Sequence, residues 1–370
     1  MPRFANMLVN GMENRGHQVA VWSPKPVLVK LSGNNTLKKW LGYIDQYIFF
    51  PIQVKRNIRK VDDNTLFVFC DNALGPWIPL VKNKAHVIHC HDFLAQLSAI
   101  GEIKQNPTSL TGRVYQKYIR KGLSKGKNFI SVSKSTKNYL SLFLDKTPQI
   151  SEVVYNGLSR EFVPKPVVET REQLSDYCKR NLSEGYILHV GGNQWYKNRI
   201  GVIEIYDAWR KNYTSNLPLI LIGEKPSNLL LETKENSSFR NDIIFLSGVT
   251  DSVVDAFYTG ADLFLFPSLA EGFGWPIAEA MASGTLVITT DEAPMNEVAS
   301  KAGSYVPLRP IVKEEISEWA NNASMVIEKL MSFSPEQRDS AQLRGLENVK
   351  RFDKDNSLDK IERIYLQILE

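Results

Sequence analysis

Short apolar runs alternate with longer helical stretches along nearly the whole chain of 370 residues. The runs are continuous rather than alternating, which is typical of strands buried on both faces of a parallel sheet. Helices are expected between them, because parallel strands are joined by right-handed crossovers. The predicted strands are Val19–Trp22, Leu66–Phe69, His86–Cys90, Phe129–Val132, Val153–Tyr155, Tyr186–Val190, Leu219–Ile222, Ile243–Leu246, Leu263–Phe266, Leu286–Thr289 and Ser304–Val306. The pattern therefore predicts an α/β protein built from two doubly wound units in tandem.

The boundary between the two units is predicted within residues 162–170, where two prolines interrupt the apolar pattern. We expect an N-terminal domain over residues 1–165 and a C-terminal domain over residues 166–352. Residues 353–370 repeat apolar side chains at helical spacing, so we expect a last helix that packs back towards the N-terminal domain. At its start the chain has a predicted helix, so we expect the strand that normally opens a doubly wound unit to be missing.

The composition excludes several classes of protein. With 43% hydrophobic and 23% charged residues, the chain is a globular protein rather than a disordered one. No apolar stretch approaches the roughly 18 residues that span a bilayer. The three cysteines are far apart, which excludes a disulfide framework or a zinc ribbon and suits a cytoplasmic location.

Charge is distributed unevenly along the chain. Residues 1–165 contain 24 basic and 10 acidic side chains, a local net charge of +14, whereas the remainder has a net charge of −9. This asymmetry indicates an anionic partner for the N-terminal half, either nucleic acid or a membrane surface. The alternative is a basic solvated surface without a partner.

Two segments of the N-terminal half combine basic with aromatic side chains. Arg113–Lys127 places several cations on one helical face beside two tyrosines, but no nucleic-acid recognition motif accompanies them, and we expect no nucleic-acid partner. Lys38–Ile44 pairs two lysines with Trp40, which suits a peripheral position on an anionic membrane at its inner face. The favoured alternative is that Trp40, Leu41 and Ile44 belong to the hydrophobic core.

The most informative stretch is a predicted strand, a glycine-rich loop and a helix N-terminus over residues 266–284. Gly272 and Gly274 let an anion approach the backbone, and the unpaired N–H groups of the helix point at it. Glu271 in the loop and Glu279 in the helix accompany this anion site. Spacing leaves two interpretations of Glu279 open: stabilisation by the helix dipole, or hydrogen bonding to the vicinal hydroxyls of a ribose.

The segment Glu-Gly-Phe-Gly-Trp-Pro-Ile-Ala-Glu-Ala-Met-Ala-Ser-Gly, in which seven residues separate Glu271 from Glu279, resembles the signature of glycosyltransferase family 4. The resemblance covers nearly the whole chain. It implies the GT-B fold, in which two Rossmann-like domains face each other across a cleft. It also implies that Glu279 binds the ribose of a nucleotide sugar and that Glu271 contacts the donor sugar near the reacting phosphate. Gly272, Phe273 and Gly274 would complete the donor site.

Two further segments match the family. Val190-Gly-Gly-Asn-Gln-Trp-Tyr-Lys-Asn resembles its phosphate-binding loop, with Gly191 and Gly192 as the backbone cradle and Lys197 as the cation that neutralises the leaving diphosphate. An arginine that often follows the first glycine is replaced here by Gly192, which removes one charge from the expected site. In His89-Cys-His-Asp, at the end of a predicted strand, His91 matches the histidine that faces the donor sugar, and His89 is expected to be structural.

The resemblance implies an enzyme. It would be a retaining hexosyltransferase that moves a sugar from a nucleotide diphosphate-sugar to a saccharide or lipid-linked saccharide, in surface polysaccharide or lipopolysaccharide synthesis. We expect catalysis to depend on His91, Lys197 and Glu271, with no permanently bound cofactor and no metal. From the residues alone, Lys197 is also consistent with an exposed lysine and His91 with a metal ligand or a buried structural imidazole. Two other functions stay open: an epimerase of the same fold, and a catalytically idle subunit that binds sugar nucleotides.

Overall fold

The computed structural model describes residues 2–31, 33–158, 160, 162 and 165–370. It contains two parallel sheets, each with helices packed on both faces, so the predicted pair of doubly wound α/β units is confirmed. Part of the predicted boundary segment, including Pro164, lies outside the described residues.

Four parallel strands form the first sheet, side by side in chain order. They are β1 (Phe67–Phe69), β2 (His86–Cys90), β3 (Asn128–Ser131) and β4 (Ile150–Val153). The helices of this unit are α1 (Pro2–Glu13), α2 (Asn35–Ile44), α3 (Phe50–Ile58), α4 (Leu94–Ile100), α5 (Leu110–Leu123) and α6 (Lys134–Phe143). A π-helical turn covers Asp45–Phe49, and 3₁₀ helices cover Leu28–Leu31 and Asn72–Leu80.

Six parallel strands form the second sheet. In chain order they are β5 (Ile187–Val190), β6 (Leu219–Gly223), β7 (Ile243–Ser247), β8 (Leu263–Phe266), β9 (Leu286–Thr290) and β10 (Ser304–Val306). The helices of this unit are α7 (Val167–Cys178), α8 (Arg199–Asn212), α9 (Asn228–Asn236), α10 (Asp251–Gly260), α11 (Trp275–Ala282), α12 (Met295–Ala299), α13 (Lys313–Met331) and α14 (Pro335–Val349). The last helix of the chain is α15 (Lys354–Leu369). Short 3₁₀ turns cover Trp195–Lys197, Arg240–Asp242, Ser300–Ala302 and Lys350–Phe352. The spatial order is β10-β9-β8-β5-β6-β7, so the strand order reverses between β5 and β8. In an open α/β sheet, the crevice beyond the carboxyl ends of such strands is where ligands bind.

Helix α15 belongs to the layers of the first sheet. Its apolar face, including Leu358 and Tyr365, packs with Phe4 and Leu8 of α1 against the side of the sheet that carries the buried Val87. The opposite side of the same sheet is covered by a second apolar cluster, from α4, α5 and α6. The chain therefore crosses between the two units twice.

These two crossings lie side by side. The N–H of Leu158 donates a hydrogen bond to the carbonyl oxygen of Phe352 at 2.8 Å. A Cβ on Gly157 would lie 2.5 Å from Cα of Lys354, so a side chain at position 157 would push the two segments apart. The two units are thus connected by two segments of the chain that contact each other, rather than by one.

The prediction of a strand over Val19–Trp22 is wrong. Residues 17–26 form an irregular segment in which Trp22 packs edge-on against Phe67, with ring centroids 5.7 Å apart, while Val21 is exposed. Pro24 and Pro26 follow directly, and proline cannot donate to a strand ladder. The strand predicted over Val153–Tyr155 instead spans Ile150–Val153, so the prediction shares only Val153 with it. This edge strand is only half-buried and contains polar residues, which obscure its bounds in the sequence.

The favoured interpretation of Trp40 as a core residue is also wrong. Its side chain is 64% exposed, and Leu41 and Ile44 are only half-buried. The reason is that α2, which continues directly into the Asp45–Phe49 turn, makes its main tertiary contacts with the Leu28–Leu31 turn rather than with a sheet. None of the helices in the described part of the chain is both long and apolar enough to cross a membrane.

Candidate active site

The glycine-rich loop of the sequence signature lies at the carboxyl end of β8. The strand ends at Phe266, and α11 begins at Trp275 with Pro276 in its first turn, where a proline costs no hydrogen bond. Gly274 precedes the helix with φ of 100°, a left-handed conformation that favours glycine. The predicted strand, loop and helix are therefore all present, with the N-terminus of α11 facing the crevice.

Lys197 and Glu271 meet in this crevice. The Nζ of Lys197, in the 3₁₀ turn that follows β5, lies 2.7 Å from Oε1 of Glu271. The hydroxyl of Ser268 donates to the same carboxylate oxygen at 2.7 Å. Both side chains are largely buried, with exposed fractions of 14% for the lysine and 9% for the glutamate. The pair is thus a fixed ionic contact between the loops of two adjacent strands.

Gly191 and Gly192 form the loop between β5 and Lys197. A Cβ on Gly223, at the end of the next strand, would lie 2.0 Å from the carbonyl oxygen of Gly191, so the two backbones touch. The N–H of Asn193 donates to Oε2 of Glu224 at 3.2 Å. This packing holds the loop tightly against β6, so that the glycines present backbone rather than side chains to the crevice.

Glu279 lies in α11 and is nearly buried, with 6% of its side chain exposed. Its Oε2 accepts a hydrogen bond from the hydroxyl of Tyr258 at 3.1 Å, and its Oε1 accepts one from Arg3 of α1 at 3.0 Å. The guanidinium of Arg160 is 4.0 Å from Oε1. The guanidinium of Arg3 also stacks over the ring of Trp275, 4.7 Å from its centroid. An arginine from the first domain therefore covers this carboxylate.

His91 follows β2 and faces the second domain from the first. Its Nε2 donates a hydrogen bond to the carbonyl oxygen of Cys70 at 3.0 Å, which leaves Nδ1 as an acceptor. Burial lowers the pKa of His91 to about 4, so the ring is neutral near pH 7. The ring of Phe4 packs edge-on against it, with centroids 4.5 Å apart. His89 is buried and hydrogen-bonded to the hydroxyl of Tyr365 at 2.6 Å, a contact that ties α15 to the first sheet.

The two domains touch at Gly272. Its carbonyl oxygen accepts hydrogen bonds from the hydroxyls of Ser133 at 2.8 Å and Thr136 at 3.1 Å, both at the start of α6. A Cβ at this position would lie 2.0 Å from the carbonyl oxygen of His91. Glycine is therefore required for the loop that bears Glu271 to approach the segment that bears His91.

The remaining predicted residue, Phe273, has its side chain in the core. It is 3% exposed and packs against Trp275 and Phe352. Only its backbone is available to a ligand. Within the described ranges, no three His, Cys, Asp or Glu side chains come together where they could hold a metal ion.

Several contact residues were missed at the sequence level. Arg3 and Tyr258, which bind Glu279, have no local motif that marks them. Ser133 and Thr136 stand at a recognisable helix N-terminus, where Ser133 is the capping residue, and that spacing was a usable signal. The family resemblance does extend to Glu297, which it implies helps to close the base pocket, and the carboxylate of Glu297 accepts the N–H of Lys134 at 2.8 Å across the domain contact.

Comparison with known proteins places the chain in a family. The profile of Glycosyltransferase Family 4 matches residues 1–162, and that of Glycosyl transferases group 1 matches residues 171–318. The O-antigen chain mannosyltransferase RfbU of Salmonella typhimurium is 25% identical over 232 residues, which are 62% of this chain and 58% of the relative. O-antigen chain mannosyltransferase B of Escherichia coli is 25% identical over 246 residues, 66% of this chain and 61% of the relative. The chain thus spans less than two thirds of the length of these curated relatives.

Solved structures agree in fold. WaaG, a glycosyltransferase involved in lipopolysaccharide biosynthesis, has a TM-score of 0.67 and 15% identity, covering 98% of this chain and 95% of that one. A sucrose-phosphate synthase of Thermosynechococcus elongatus has a TM-score of 0.66 and 19% identity, covering 82% of this chain and 73% of that one. With both halves matched by family profiles and the architecture shared with these neighbours, the chain has the GT-B fold and belongs to the group 1 glycosyltransferases of family 4.

Proposed function

We propose that the chain is a retaining glycosyltransferase that moves a hexosyl group from a nucleotide diphosphate-sugar to a saccharide or lipid-linked saccharide. The observation that carries the proposal is the contact of Lys197 with Glu271, at the point where the strand order of the second sheet reverses. A cation and a carboxylate held together beside two backbone loops suit a ligand with both phosphates and hydroxyls. Family membership supports a nucleotide sugar as that ligand.

In the proposed reaction, the bond between the anomeric carbon and the diphosphate oxygen breaks. A bond from the same carbon to the acceptor's hydroxyl oxygen forms on the same face of the sugar. The acceptor's proton passes to an oxygen of the leaving diphosphate, so no separate protein base is needed. Lys197 and the N–H group of Gly192 stabilise the negative charge that develops on the leaving group, since the N–H of Gly191 already donates to the carbonyl oxygen of Ile222 at 2.9 Å.

Three side chains would position the donor. Glu279 accepts hydrogen bonds from the ribose hydroxyls, and Glu271 accepts them from the sugar. His91 is neutral, so its Nδ1 accepts a hydrogen bond from a sugar hydroxyl rather than adding charge. Gly274 allows the diphosphate to approach the backbone at the start of α11, whereas the space beside Gly272 is taken by the carbonyl oxygen of His91.

We propose mannose as the transferred sugar and a growing surface polysaccharide or lipopolysaccharide as the acceptor. Support comes from the two curated relatives, which are both named as mannosyltransferases of the O-antigen chain. The structural similarity to WaaG agrees with an acceptor of this kind.

The proposed site of action is the inner face of the membrane, with the protein bound peripherally. The docking surface would be an exposed cluster that we name the aromatic face. Its members are Leu37, Trp40, Tyr43, Tyr47, Ile48, Phe49, Ile52, Val114, Tyr115 and Tyr118. The hydroxyls of Tyr47 and Tyr115 are 2.8 Å apart and join the α2–α3 part of this face to α5. Exposed basic residues lie along the same elements: Lys38, Lys39, Lys55, Arg56, Arg113, Lys117 and Lys121. Apolar side chains with cations around them are the chemistry that binds an anionic bilayer surface.

The activity is tested with the purified chain, a panel of nucleoside diphosphate-mannoses and an O-antigen-type saccharide acceptor. We expect release of nucleoside diphosphate that depends on the acceptor, and a product whose anomeric configuration, read by NMR, is that of the donor. Isomerised donor without transfer would indicate an epimerase instead. Tight donor binding without turnover would indicate an idle subunit.

The membrane site is tested by sedimentation with anionic and with zwitterionic vesicles. We expect binding to the anionic vesicles that weakens as salt is added, and loss of binding in Trp40→Ser. Leu343→Ser is the matched control, since Leu343 is 65% exposed but lies on α14, away from the aromatic face. Equal binding of the two variants would refute the proposed docking surface.

A further inference from the structure

Each carboxylate of the glycosyltransferase signature holds a cation. Glu271 is paired with Lys197 at 2.7 Å, and Glu279 is paired with Arg3 at 3.0 Å. Both carboxylates are largely buried, with 9% and 6% of their side chains exposed. The two pairs differ in origin, because Lys197 comes from the same sheet as its partner whereas Arg3 comes from α1 of the other domain. Arg3 is therefore placed relative to Glu279 as Lys197 is placed relative to Glu271, although no sequence motif marks Arg3.

Arg3 lies close to the residues that are proposed to bind the donor. Its guanidinium stacks over Trp275, the first residue of α11, and so lies at the helix end whose N–H groups face anions. The next residue in the chain, Phe4, contacts the ring of His91. In the proposed function the ribose lies at Glu279 and the sugar lies at Glu271 and His91. The diphosphate bridges ribose and sugar, and Arg3 lies between the residues assigned to them.

The glycine loop alone provides little charge for that bridge. Each phosphate of the donor carries a negative charge, and Lys197 is the basic side chain that the loop directs at Glu271. The nearby Arg199 faces elsewhere: its Nη1 donates to Oδ1 of Asn193 at 2.7 Å, and its guanidinium lies over Phe245 of β7. A second cation therefore has to reach the diphosphate from another segment.

We propose that Arg3 is a diphosphate-binding residue that the unliganded protein holds on Glu279, and that donor binding exchanges the partners of both. Arg3 moves to the phosphates, and Glu279 takes the ribose hydroxyls in its place. The inference rests on the proposed function. Arginine suits this role because its planar fork binds phosphate oxygens in pairs.

The surroundings of Glu279 permit the exchange. A buried carboxylate that loses its only partner is strongly destabilised. Glu279 keeps the hydroxyl of Tyr258 at 3.1 Å and the guanidinium of Arg160 at 4.0 Å when Arg3 leaves. Because α1 belongs to the first domain, the bound diphosphate would be held from both sides of the cleft, and donor binding would favour the closed arrangement of the domains.

The test compares the binding of a nucleoside with that of its diphosphate, by titration calorimetry, in the wild type and in Arg3→Ala. For the diphosphate we expect the affinity of Arg3→Ala to be roughly 10- to 100-fold weaker, the value of a lost charge-assisted contact. For the nucleoside alone we expect equal or tighter binding, because Glu279 is no longer covered. Arg3→Lys should recover part of the diphosphate affinity, since it keeps the charge without the paired hydrogen bonds.

Arg15→Ala is the matched control. Arg15 lies in the turn directly after α1 and pairs with Asp359 and Glu362 of α15, away from the crevice. We expect both affinities to be unchanged in this variant. If Arg3→Ala does not fold, Arg3→Gln removes the charge at similar side-chain length and carries the same expectations.

The possible results separate the explanations. Equal weakening of nucleoside and diphosphate binding would show that Arg3 only supports the structure, and equal strengthening would show that it only blocks Glu279. Either result overturns the inference. A wild type that binds no nucleoside diphosphate would instead overturn the proposed function itself.

Discussion

Lys197 and Glu271 are 74 residues apart in the chain, yet the lysine Nζ and the carboxylate Oε1 are 2.7 Å apart. The contact joins the loops that follow β5 and β8, the two strands between which the sheet order reverses. In the proposed reaction, an ion pair held at this place, largely away from water, keeps the lysine fixed before the donor binds. Such preorganised charge is more effective in stabilising a leaving group than charge that must be reoriented.

Replacing Lys197 by alanine should reduce turnover strongly. We expect a decrease in kcat of about 100- to 1,000-fold, since a preorganised group that stabilises developing charge is lost. The measurement is release of nucleoside diphosphate at saturating donor and acceptor. Lys211→Ala is the control, because Lys211 is exposed in the last turn of α8. Turnover in Lys197→Ala within a few-fold of that control would contradict the role given to Lys197.

Replacing Glu279 by glutamine should remove the selectivity for ribose. A charged acceptor binds two vicinal hydroxyls more tightly than an amide does, and such hydrogen bonds contribute about 1.5–3 kcal/mol. We expect the wild type to bind a ribonucleoside diphosphate more tightly than its 2′,3′-dideoxy form, and Glu279→Gln to bind both about equally. Glu235→Gln, at an exposed position of α9, serves as the control. Undiminished selectivity in Glu279→Gln would exclude the ribose contact.

Replacing Gly272 by alanine should disturb the contact between the domains. The added Cβ would lie 2.0 Å from the carbonyl oxygen of His91, so the loop or the whole domain must move. Overpacking of this kind costs about 1–3 kcal/mol. We expect a lower midpoint of thermal unfolding and a larger radius of gyration by X-ray scattering, with loss of activity.

The matched variant is Gly33→Ala, since a Cβ there would have no heavy atom within 4 Å. It should retain the wild-type stability and radius of gyration. If Gly272→Ala behaves in the same way, the close approach of Gly272 to His91 does not hold the domains together.

Four histidines with lowered pKa values should make the fold sensitive to acid. Burial lowers the pKa of His89 and His189 to about 3 and that of His91 to about 4, and it also lowers the pKa of His86. The unfolded chain binds protons at these residues near pH 6.5, so it takes up more protons than the folded chain below that pH. The free energy of unfolding should therefore be highest above pH 6.5 and decrease towards pH 4, by up to about 1.4 kcal/mol per pH unit for each histidine.

Urea unfolding at pH 7.5, 6.0 and 5.0 measures this dependence. In His189→Asn the slope against pH should be smaller by about one proton. Asparagine can replace the hydrogen bond that Nδ1 of His189 donates to the carbonyl of Leu265 at 2.9 Å. An unchanged slope would show that His189 titrates normally in the folded protein.

The fold was predictable where its strands are fully buried. Strand β8 is a continuous apolar run, and β2 is buried throughout although two of its five residues are histidines, so the bounds of both were found directly from the sequence. The segment at Val19–Trp22 has the same apolar character but precedes Pro24 and Pro26, and tertiary contact with Phe67 stabilises it as an irregular segment. Local pattern cannot distinguish these two outcomes.

The residues of the candidate site that are close together in the sequence were predictable, whereas those brought in from distant segments by the fold were not. Glu271, Gly274 and Glu279 lie within one loop and helix whose spacing is itself the signal. Arg3 reaches Glu279 from 276 residues away, and Tyr258 reaches it from a different helix. No periodicity encodes such contacts, since they depend on how the two domains are placed.

Helix α15 returns to the first sheet, where Tyr365 is hydrogen-bonded to His89, and this affects how the two domains can be expressed separately. A fragment that stops before residue 167 would expose the apolar surface that Leu358 and Ile361 normally cover. Soluble expression of the N-terminal domain should require grafting residues 353–370 onto its end or supplying them as a separate peptide. The two domains are distinct in space, but the segments that form the N-terminal domain are not contiguous in the gene.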